Sequence, residues 1–279
     1  MGSKRNLRSR WIVTGLVVVG WALLIWPREM RAQTEGNDAV YGSGAVVTFS
    51  PSFIDASQFI GHSQGLDLCD TIYGIFTNAW GVGAYPSAGA VIDARGISGA
   101  TNLKCTHGTP WSEGSNSVNL PSTILLPATS GATPTPIIIS TPWIIPSNTH
   151  LIGEGDGIGS SAATTIQVSS TFNTTPGYIM QFGSASGASG ISVERLTIDG
   201  LGNNAVNGIV NPNAGPNSYV DHVTLYQIRG VGLLVENNAD GSGPYSNITF
   251  NTGSYGAHVT GEHSATFRRL PHPIESLHS

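Results

Sequence analysis

Acidic side chains recur at matching places in a pattern that is repeated between residues 191 and 260. Glu194 and Asp221 occupy the same position in two copies of this pattern, and Asp199 follows Glu194 by five residues. If the copies stack on one another, outward-facing carboxylates of neighbouring copies form an oxygen-rich set. Hard cations such as Ca²⁺ prefer ligands of this type, so the spacing points first to cation chemistry.

The repeated pattern is an apolar residue, two mostly polar residues, and then an apolar-Thr-apolar triplet. The threonines of the three copies fall at steps of 27 and 25 residues, at Thr197, Thr224 and Thr249. A glycine-led apolar run follows each copy at steps of 24 residues, starting at Gly208, Gly232 and Gly256. A fixed period of this length is typical of a repeat architecture.

The periodicity within each copy indicates strands, because apolar residues alternate with polar ones. The pair of polar residues interrupts the alternation once, which predicts two short strands joined by a bend, and the glycine-led run predicts a third strand. Three short strands per repeat and no helical spacing between them predict an all-β fold, a parallel β-helix in which each coil packs on its neighbours. The alternative is an antiparallel β-sandwich with evenly spaced strands.

Composition limits the functional classes. The charged fraction is 10% and the formal net charge is −5. Six of the twelve basic residues and one of the seventeen acidic residues lie in residues 1–32, which leaves a net charge of −10 for the remainder. An acidic surface repels polyanions, so we expect no nucleic-acid partner.

The first 32 residues are predicted to be an export segment. A basic stretch precedes an apolar run of 16 residues, from Trp11 to Trp26. This run is long for a signal peptide and short for a membrane-spanning helix, so a cleaved signal peptide and an uncleaved membrane anchor both remain open. In either case we expect the folded part to be secreted, periplasmic or at the cell surface, with the membrane as a partner only through an uncleaved residue 11–26 segment.

Residues 33–50 are predicted to be a linker, residues 51–270 a single β-helix domain, and residues 271–279 a tail. Apolar residues at helical spacing predict one amphipathic helix within residues 67–80, which would cap the first coil. Cys69 and Cys105 are the two cysteines of the chain. An exported protein favours one disulfide between them, and two buried thiols are the alternative. We expect a monomer.

Three further segments carry no chemistry in this interpretation. Residues 106–121 are predicted to form a long loop. The glycine-rich residues 153–159 resemble a phosphate-binding loop, but no helix follows them, so a tight turn suffices. The histidines His258 and His263 do not have the spacing of the inverted zinc-protease motif, and no helix carries them.

Several segments resemble exported bacterial right-handed parallel β-helix proteins of the pectin-lyase-like superfamily. They are residues 53–57, the Asp67-Leu-Cys69 start of the helix, residues 89–96, the second cysteine, and residues 149–155. The resemblance spans about residues 51–260. It implies the right-handed β-helix (solenoid) fold, which hosts lyases, hydrolases, epimerases, phage tailspikes and adhesins.

The strand Tyr219-Val-Asp-His is similar to the Trp-Ile-Asp-His strand of pectate lyases. This resemblance implies that Asp221 is a calcium ligand, with Glu194 and Asp199 as the further acidic ligands. It also implies an arginine that removes the sugar C5 proton. Arg229 is the candidate nearest in sequence, with Arg195 and Arg268 as alternatives. The third copy departs from the family, because it offers Ser246 and Asn247 where a carboxylate is expected.

Two functions follow from these observations. The first is β-elimination of an acidic, pectin-like polysaccharide with Ca²⁺ as cofactor; glycoside hydrolysis is less favoured, because the acidic motifs of pectin hydrolases are absent. The second is a non-catalytic β-helix that binds carbohydrate or mediates adhesion, or a shortened relative without its site. Polysaccharide is the expected partner in both cases.

Overall fold

The computed structural model describes residues 53–62, 65–79, 89–129, 135–157, 162–175, 177–184, 188–202, 206–213, 215–236, 242–253, 255–260 and 266–268. The predicted export segment and its apolar run at residues 11–26, the linker at 33–50 and the tail at 271–279 lie outside these ranges, as does His263. No helix in the described part of the chain is long and apolar enough to cross a membrane.

The described residues are mostly β-structure with a single α-helix, α1 (Leu68–Phe76), and a short 3₁₀ helix, Ala56–Gln58. The strands, numbered β1 to β19 in chain order, are Phe53–Asp55, Ala90–Asp93, Lys104–Cys105, Gly108–Thr109, Ser112–Glu113, Asn116–Ser117, Ser122–Leu125, Ile137–Ile139, Trp143–Ile145, Thr149–Ile152, Thr165–Val168, Tyr178–Phe182, Ser192–Asp199, Asn207–Asn211, Tyr219–Ile228, Val231–Val235, Tyr245–Thr252, Tyr255–Val259 and Phe267–Arg268.

Nearly all of these strands pair in parallel. One sheet holds eleven strands, and it contains β13, β15 and β17 as neighbours. A second sheet holds five, in the order β18-β16-β14-β12-β9. The prediction of an all-β fold built from parallel strands is confirmed, and an antiparallel sandwich is excluded for these two sheets.

The predicted repeat is present in the strand register. Thr197 pairs with Thr224, and Thr224 pairs with Thr249, so the three copies lie side by side. The glycine-led runs form β14, β16 and β18, which also pair with one another in sequence order. Neighbours in both sheets are therefore separated by one sequence period.

The bend within each copy comes from one residue with a left-handed backbone. The second of the two polar residues has a φ of 55° at Arg195, 51° at His222 and 53° at Asn247. The first half of β13 pairs with β10, and its second half pairs with β11. One left-handed residue thus lets one long strand cover two short ones.

The core is formed by a column of inward side chains in the large sheet. Alternation along a strand places every second residue on this face. The column consists of residues that pair in register and are fully buried from its second member to its seventh: Ile54, Ile92, Ile124, Leu151, Val193, Val220 and Tyr245. Tyr245 is the polar member, and its hydroxyl accepts a 2.8 Å hydrogen bond from Nδ2 of the buried Asn211.

The helix α1 begins at its N-cap Asp67, whose side chain accepts a hydrogen bond from the Asp70 backbone at 3.0 Å. It ends at Thr77, after which Asn78 takes the left-handed conformation common beyond a helix C-terminus. The disulfide between Cys69 and Cys105 is confirmed, and it ties α1 to β3. The predicted loop at residues 106–121 instead contains the antiparallel strands β4, β5 and β6.

Removing the disulfide tests how much it contributes to stability. The Cys69→Ser/Cys105→Ser variant opens a loop of 36 residues. In the chain-entropy model this lowers the free energy of unfolding by about 3 to 4 kcal/mol. Denaturant titration measures the loss, and a reducing agent should destabilise the wild type but leave the variant unchanged. Equal stability of both proteins would contradict the expectation.

A pair of glycine substitutions tests the tight stacking of the turns. Gly190 has a φ of 67°, and an added Cβ would lie 2.6 Å from Oδ1 of Asn148. Gly89 has a φ of 88°, but an added Cβ there meets nothing within 4 Å. Both alanine variants carry backbone strain, so Gly190→Ala should unfold more easily than Gly89→Ala by about 1 to 3 kcal/mol, the cost of overpacking. Equal denaturation midpoints would show that the turns do not pack as described.

Candidate functional site

The candidate site is a row of outward side chains on the large sheet, which we call the outer column: Glu194, Asp221, Ser246 and Arg268. Strand register places each member beside the next, on β13, β15, β17 and β19 in turn. Their preceding neighbours Val193, Val220 and Tyr245 are fully buried, so alternation directs the column away from the core. The predicted alignment of Glu194 with Asp221 is therefore present.

Asp221 is held by hydrogen bonds on both carboxylate oxygens. Oδ1 accepts from Ser246 Oγ at 2.6 Å and from Asn247 Nδ2 at 2.8 Å. Oδ2 lies 2.8 Å from Nδ1 of His222. Ser246 and Asn247 thus do not replace a missing carboxylate. They fix the orientation of the carboxylate on the neighbouring strand.

These bonds also set the acidity of Asp221. Partial burial is the largest single influence and acts to raise the pKa of Asp221. The hydrogen bonds with Ser246, Asn247 and His222 together outweigh it, and the pKa lies below the ordinary value of 3.8. Asp221 is therefore a carboxylate at neutral pH.

Glu194 is oriented by its own strand and by the next one. Its Oε1 accepts from Ser192 Oγ at 2.6 Å and from the Tyr219 hydroxyl at 2.8 Å. Ser192 in turn lies 2.8 Å from Nδ1 of His150 on β10. Burial, followed by the hydrogen bond to Glu194, raises the pKa of Tyr219, so this phenol is a hydrogen-bond donor at neutral pH.

Asp199 is placed apart from the other two carboxylates. It lies beyond the bend at Arg195 and pairs in register with Gln167 and Tyr226, not with Asp221. Gln167 Nε2 donates to its Oδ2 at 2.7 Å, and the Leu201 backbone donates to its Oδ1 at 2.8 Å. These bonds explain Asp199 as a turn residue that links two strands.

Arg229 also lies away from the outer column. Asp221 precedes the left-handed residue His222, whereas Arg229 follows a second left-handed residue, Gln227. Five strand steps of about 3.3 Å separate these two bends, which amounts to about 16 Å. Arg229 instead lines a cavity of about 470 Å³ with residues that include Leu201 and Asn251. The structure thus brings Arg268, and not Arg229, into the row that contains Asp221.

Arg195 and the glycine-rich segment form a separate contact beside the column. Arg195 Nη2 donates to the Glu154 carbonyl at 3.2 Å, and the Gly157 backbone donates to Thr197 Oγ1 at 3.0 Å. A Cβ at Gly153 would collide with the Arg195 carbonyl oxygen and with Thr164. The glycine at this position therefore permits close packing, consistent with the expected turn.

A second polar group, which the sequence did not suggest, lies beside the disulfide. Asp67, Asp70 and His107 have ligand atoms within 4.8 Å of one another, and no other such group of three is found among the described residues. Asp67 Oδ2 accepts from the backbone and hydroxyl of Thr106 at 2.9 and 2.8 Å. Asp70 Oδ2 lies 3.1 Å from His107 Nδ1. These contacts explain the group as a clamp between α1 and the segment after Cys105.

Comparisons with known proteins add no assignment. No family model matches the chain, and neither a curated protein nor a solved structure matches it. The resemblance to the pectin-lyase-like superfamily stays a prediction, and the function has to be argued from the site.

The acidity of Asp221 gives a test of the hydrogen bonds that hold it. Because its pKa is lower in the folded than in the unfolded chain, its contribution to stability is present above about pH 4 and is lost as the pH falls through the folded pKa. Asp221→Asn should therefore lose less stability than the wild type on acidification below pH 4. Ser246→Ala should fall between the two, because it removes one donor. Urea titrations across this pH range measure the effect, and identical curves for all three proteins would contradict it.

Proposed function

We propose that the protein is an exported right-handed parallel β-helix that binds acidic polysaccharide along its outer column and cleaves it by β-elimination. Two features support the fold. Neighbouring parallel strands are one sequence period apart, and each repeat supplies three strand segments, namely the two halves of β13 and then β14. In this proposal, α1 caps the first coil and the disulfide holds the cap in place.

The observation that carries the functional proposal is the register of Glu194, Asp221 and Arg268 in one outward row. Glu194 and Asp221 are on adjacent strands, and Arg268 is two strands from Asp221, at about 10 Å. A row with two carboxylates at one end and a guanidinium at the other suits an acidic sugar, provided that a cation bridges the carboxylates to it.

The donor set fits calcium. Ca²⁺ binds carboxylate, hydroxyl and carbonyl oxygens in flexible geometry, and Glu194 and Asp221 supply carboxylates on neighbouring strands. Ca²⁺ bound there would supply positive charge that makes the proton beside a uronate carboxylate more acidic. The chain itself contributes orientation, because Ser192, Tyr219 and Ser246 fix the two carboxylates.

Arg268 takes the place that the resemblance assigns to the arginine base. Removal of the C5 proton leaves an electron pair that forms a double bond, and the glycosidic C–O bond at C4 breaks. The third copy has no carboxylate in the column, which leaves Arg268 beside the neutral Ser246. The guanidinium is therefore available to a negatively charged sugar.

A non-catalytic carbohydrate-binding β-helix is the second candidate. One observation favours it: both oxygens of Asp221 already have partners within the protein. Such a carboxylate can be a fixed part of a binding surface that performs no chemistry.

The ultraviolet absorbance of unsaturated uronides distinguishes the two candidates. The full chain is incubated with polygalacturonate, alginate and other acidic polysaccharides, with Ca²⁺ or with a chelator. We expect absorbance to grow with Ca²⁺ only, and Asp221→Asn and Arg268→Ala to lower the rate by about 100-fold or more, the usual range for loss of acid–base groups. Arg95→Ala is a matched control, because this exposed arginine pairs with Asp93, away from Asp221.

The outcomes separate clearly. A flat trace from folded protein on every substrate would refute catalysis, and gel retardation by the same acidic polysaccharides would then favour the binding candidate. If Arg229→Ala abolished activity while Arg268→Ala did not, the arginine nearest in sequence would be the functional one, and the catalytic role proposed for the outer column would be wrong.

A further inference from the structure

A groove of about 400 Å³ opens between the antiparallel strands β4–β6 and the parallel strand β9. This volume is in the usual range for small-ligand sites. Its lining residues come from three parts of the chain, around Trp111, around Ile144 and around Ser184. None of them belongs to the outer column.

The floor of the groove is apolar and exposed. Ile144 is 44% exposed, although its neighbours Trp143 and Ile145 on β9 are fully buried. Strand alternation explains the difference, because Ile144 points to the opposite face. Pro142 and Pro146 flank it in the lining. A rigid apolar surface at this place has no role in the core.

The wall of the groove is held firmly. Trp111 is almost fully buried and contacts Trp143 edge to face, with ring centroids 5.9 Å apart. The Val118 backbone donates to the Trp111 carbonyl at 2.8 Å, which closes the β4–β6 segment on itself. A wall anchored in the core by two tryptophans is preorganised, so a ligand would pay little for ordering it.

The polar groups of the lining are all uncharged. Ser112, Ser117, Ser147 and Ser184 supply hydroxyls, and Asn119 supplies an amide. Hydroxyl and amide groups both donate and accept hydrogen bonds. No aspartate, glutamate, lysine, arginine or histidine is among the lining residues. The contrast with the acidic chain as a whole is marked, since the net charge after residue 32 is −10.

We propose that this groove binds a neutral oligosaccharide segment. A sugar ring presents apolar C–H groups on its face and hydroxyls at its edge, and the groove presents an apolar floor with hydroxyl and amide groups around it. A charged ligand would find no counter-ion in the lining and would lose hydration without compensation. The Trp111 indole N–H also has no hydrogen-bond partner among the described residues, so this side of the groove has an unused donor.

This site is independent of the proposed lyase activity. It differs from the outer column in its residues, its sheet and its charge. A protein with both would hold a neutral chain or side branch at the groove and an acidic chain at the column. The two proposals can therefore fail separately.

Native affinity electrophoresis in gels that contain a neutral polysaccharide tests the proposal. Dextran, xyloglucan, galactomannan and arabinan are the neutral probes, and polygalacturonate is the acidic comparison. We expect at least one neutral probe to retard the full chain, and Ile144→Asp to weaken this retardation at least about tenfold, because it places a charge on the apolar floor. Leu66→Asp is the matched control, since Leu66 is 57% exposed and outside the lining.

Ser147→Asp is a second groove variant for the case in which Ile144→Asp does not fold. Circular dichroism melting curves show whether each variant is folded. The proposal is overturned if no neutral polysaccharide retards the folded wild type, or if a folded groove variant binds as well as Leu66→Asp. Asp221→Asn should bind the neutral probe like the wild type. Loss of neutral binding in that variant would also contradict a separate site.

Discussion

The parallel pairing of residues one sequence period apart is the constraint on which the remaining structure depends. Side chains alternate between two faces, so a slip of one residue would exchange the buried column for the outer column. Val220 would then face solvent and Asp221 would enter the core. The left-handed residues at Arg195, His222 and Asn247 resist such a slip, because each must lie beside the next for the bends to stack. The position of the candidate site follows from the packing of the core.

The repeat and its bend could be predicted from the sequence because they are periodic. Thr197, Thr224 and Thr249 gave the register that the structure has, and the paired polar residues marked the left-handed bend. The disulfide and the helix near residue 70 were also predictable, since each depends on local residue types. The closed β-helix and its handedness stay a prediction that rests on the resemblance.

The composition of the site was harder to predict, because it depends on distances that do not follow sequence spacing. Arg229 is eight residues from Asp221 but lies beyond a second bend, whereas Arg268 is 47 residues away and pairs with the neighbouring strand. Asp199 follows Glu194 closely in sequence and is separated from it by the bend at Arg195. The strands β4–β6 carry no periodic pattern, so neither they nor the groove beside them was predicted.

The buried hydrogen bond between Asn211 and Tyr245 has a consequence for the history of the chain. Most of the inward column is aliphatic, and a gene duplication or deletion of one whole repeat would preserve such a column. Tyr245 and Asn211 are both inaccessible to solvent and belong to different repeats. Shifting one against the other by a repeat would leave two buried polar groups unpaired, which costs about 1 to 3 kcal/mol for each group. The repeats have thus become distinct parts with fixed places, and the number of coils between these two residues can no longer change freely.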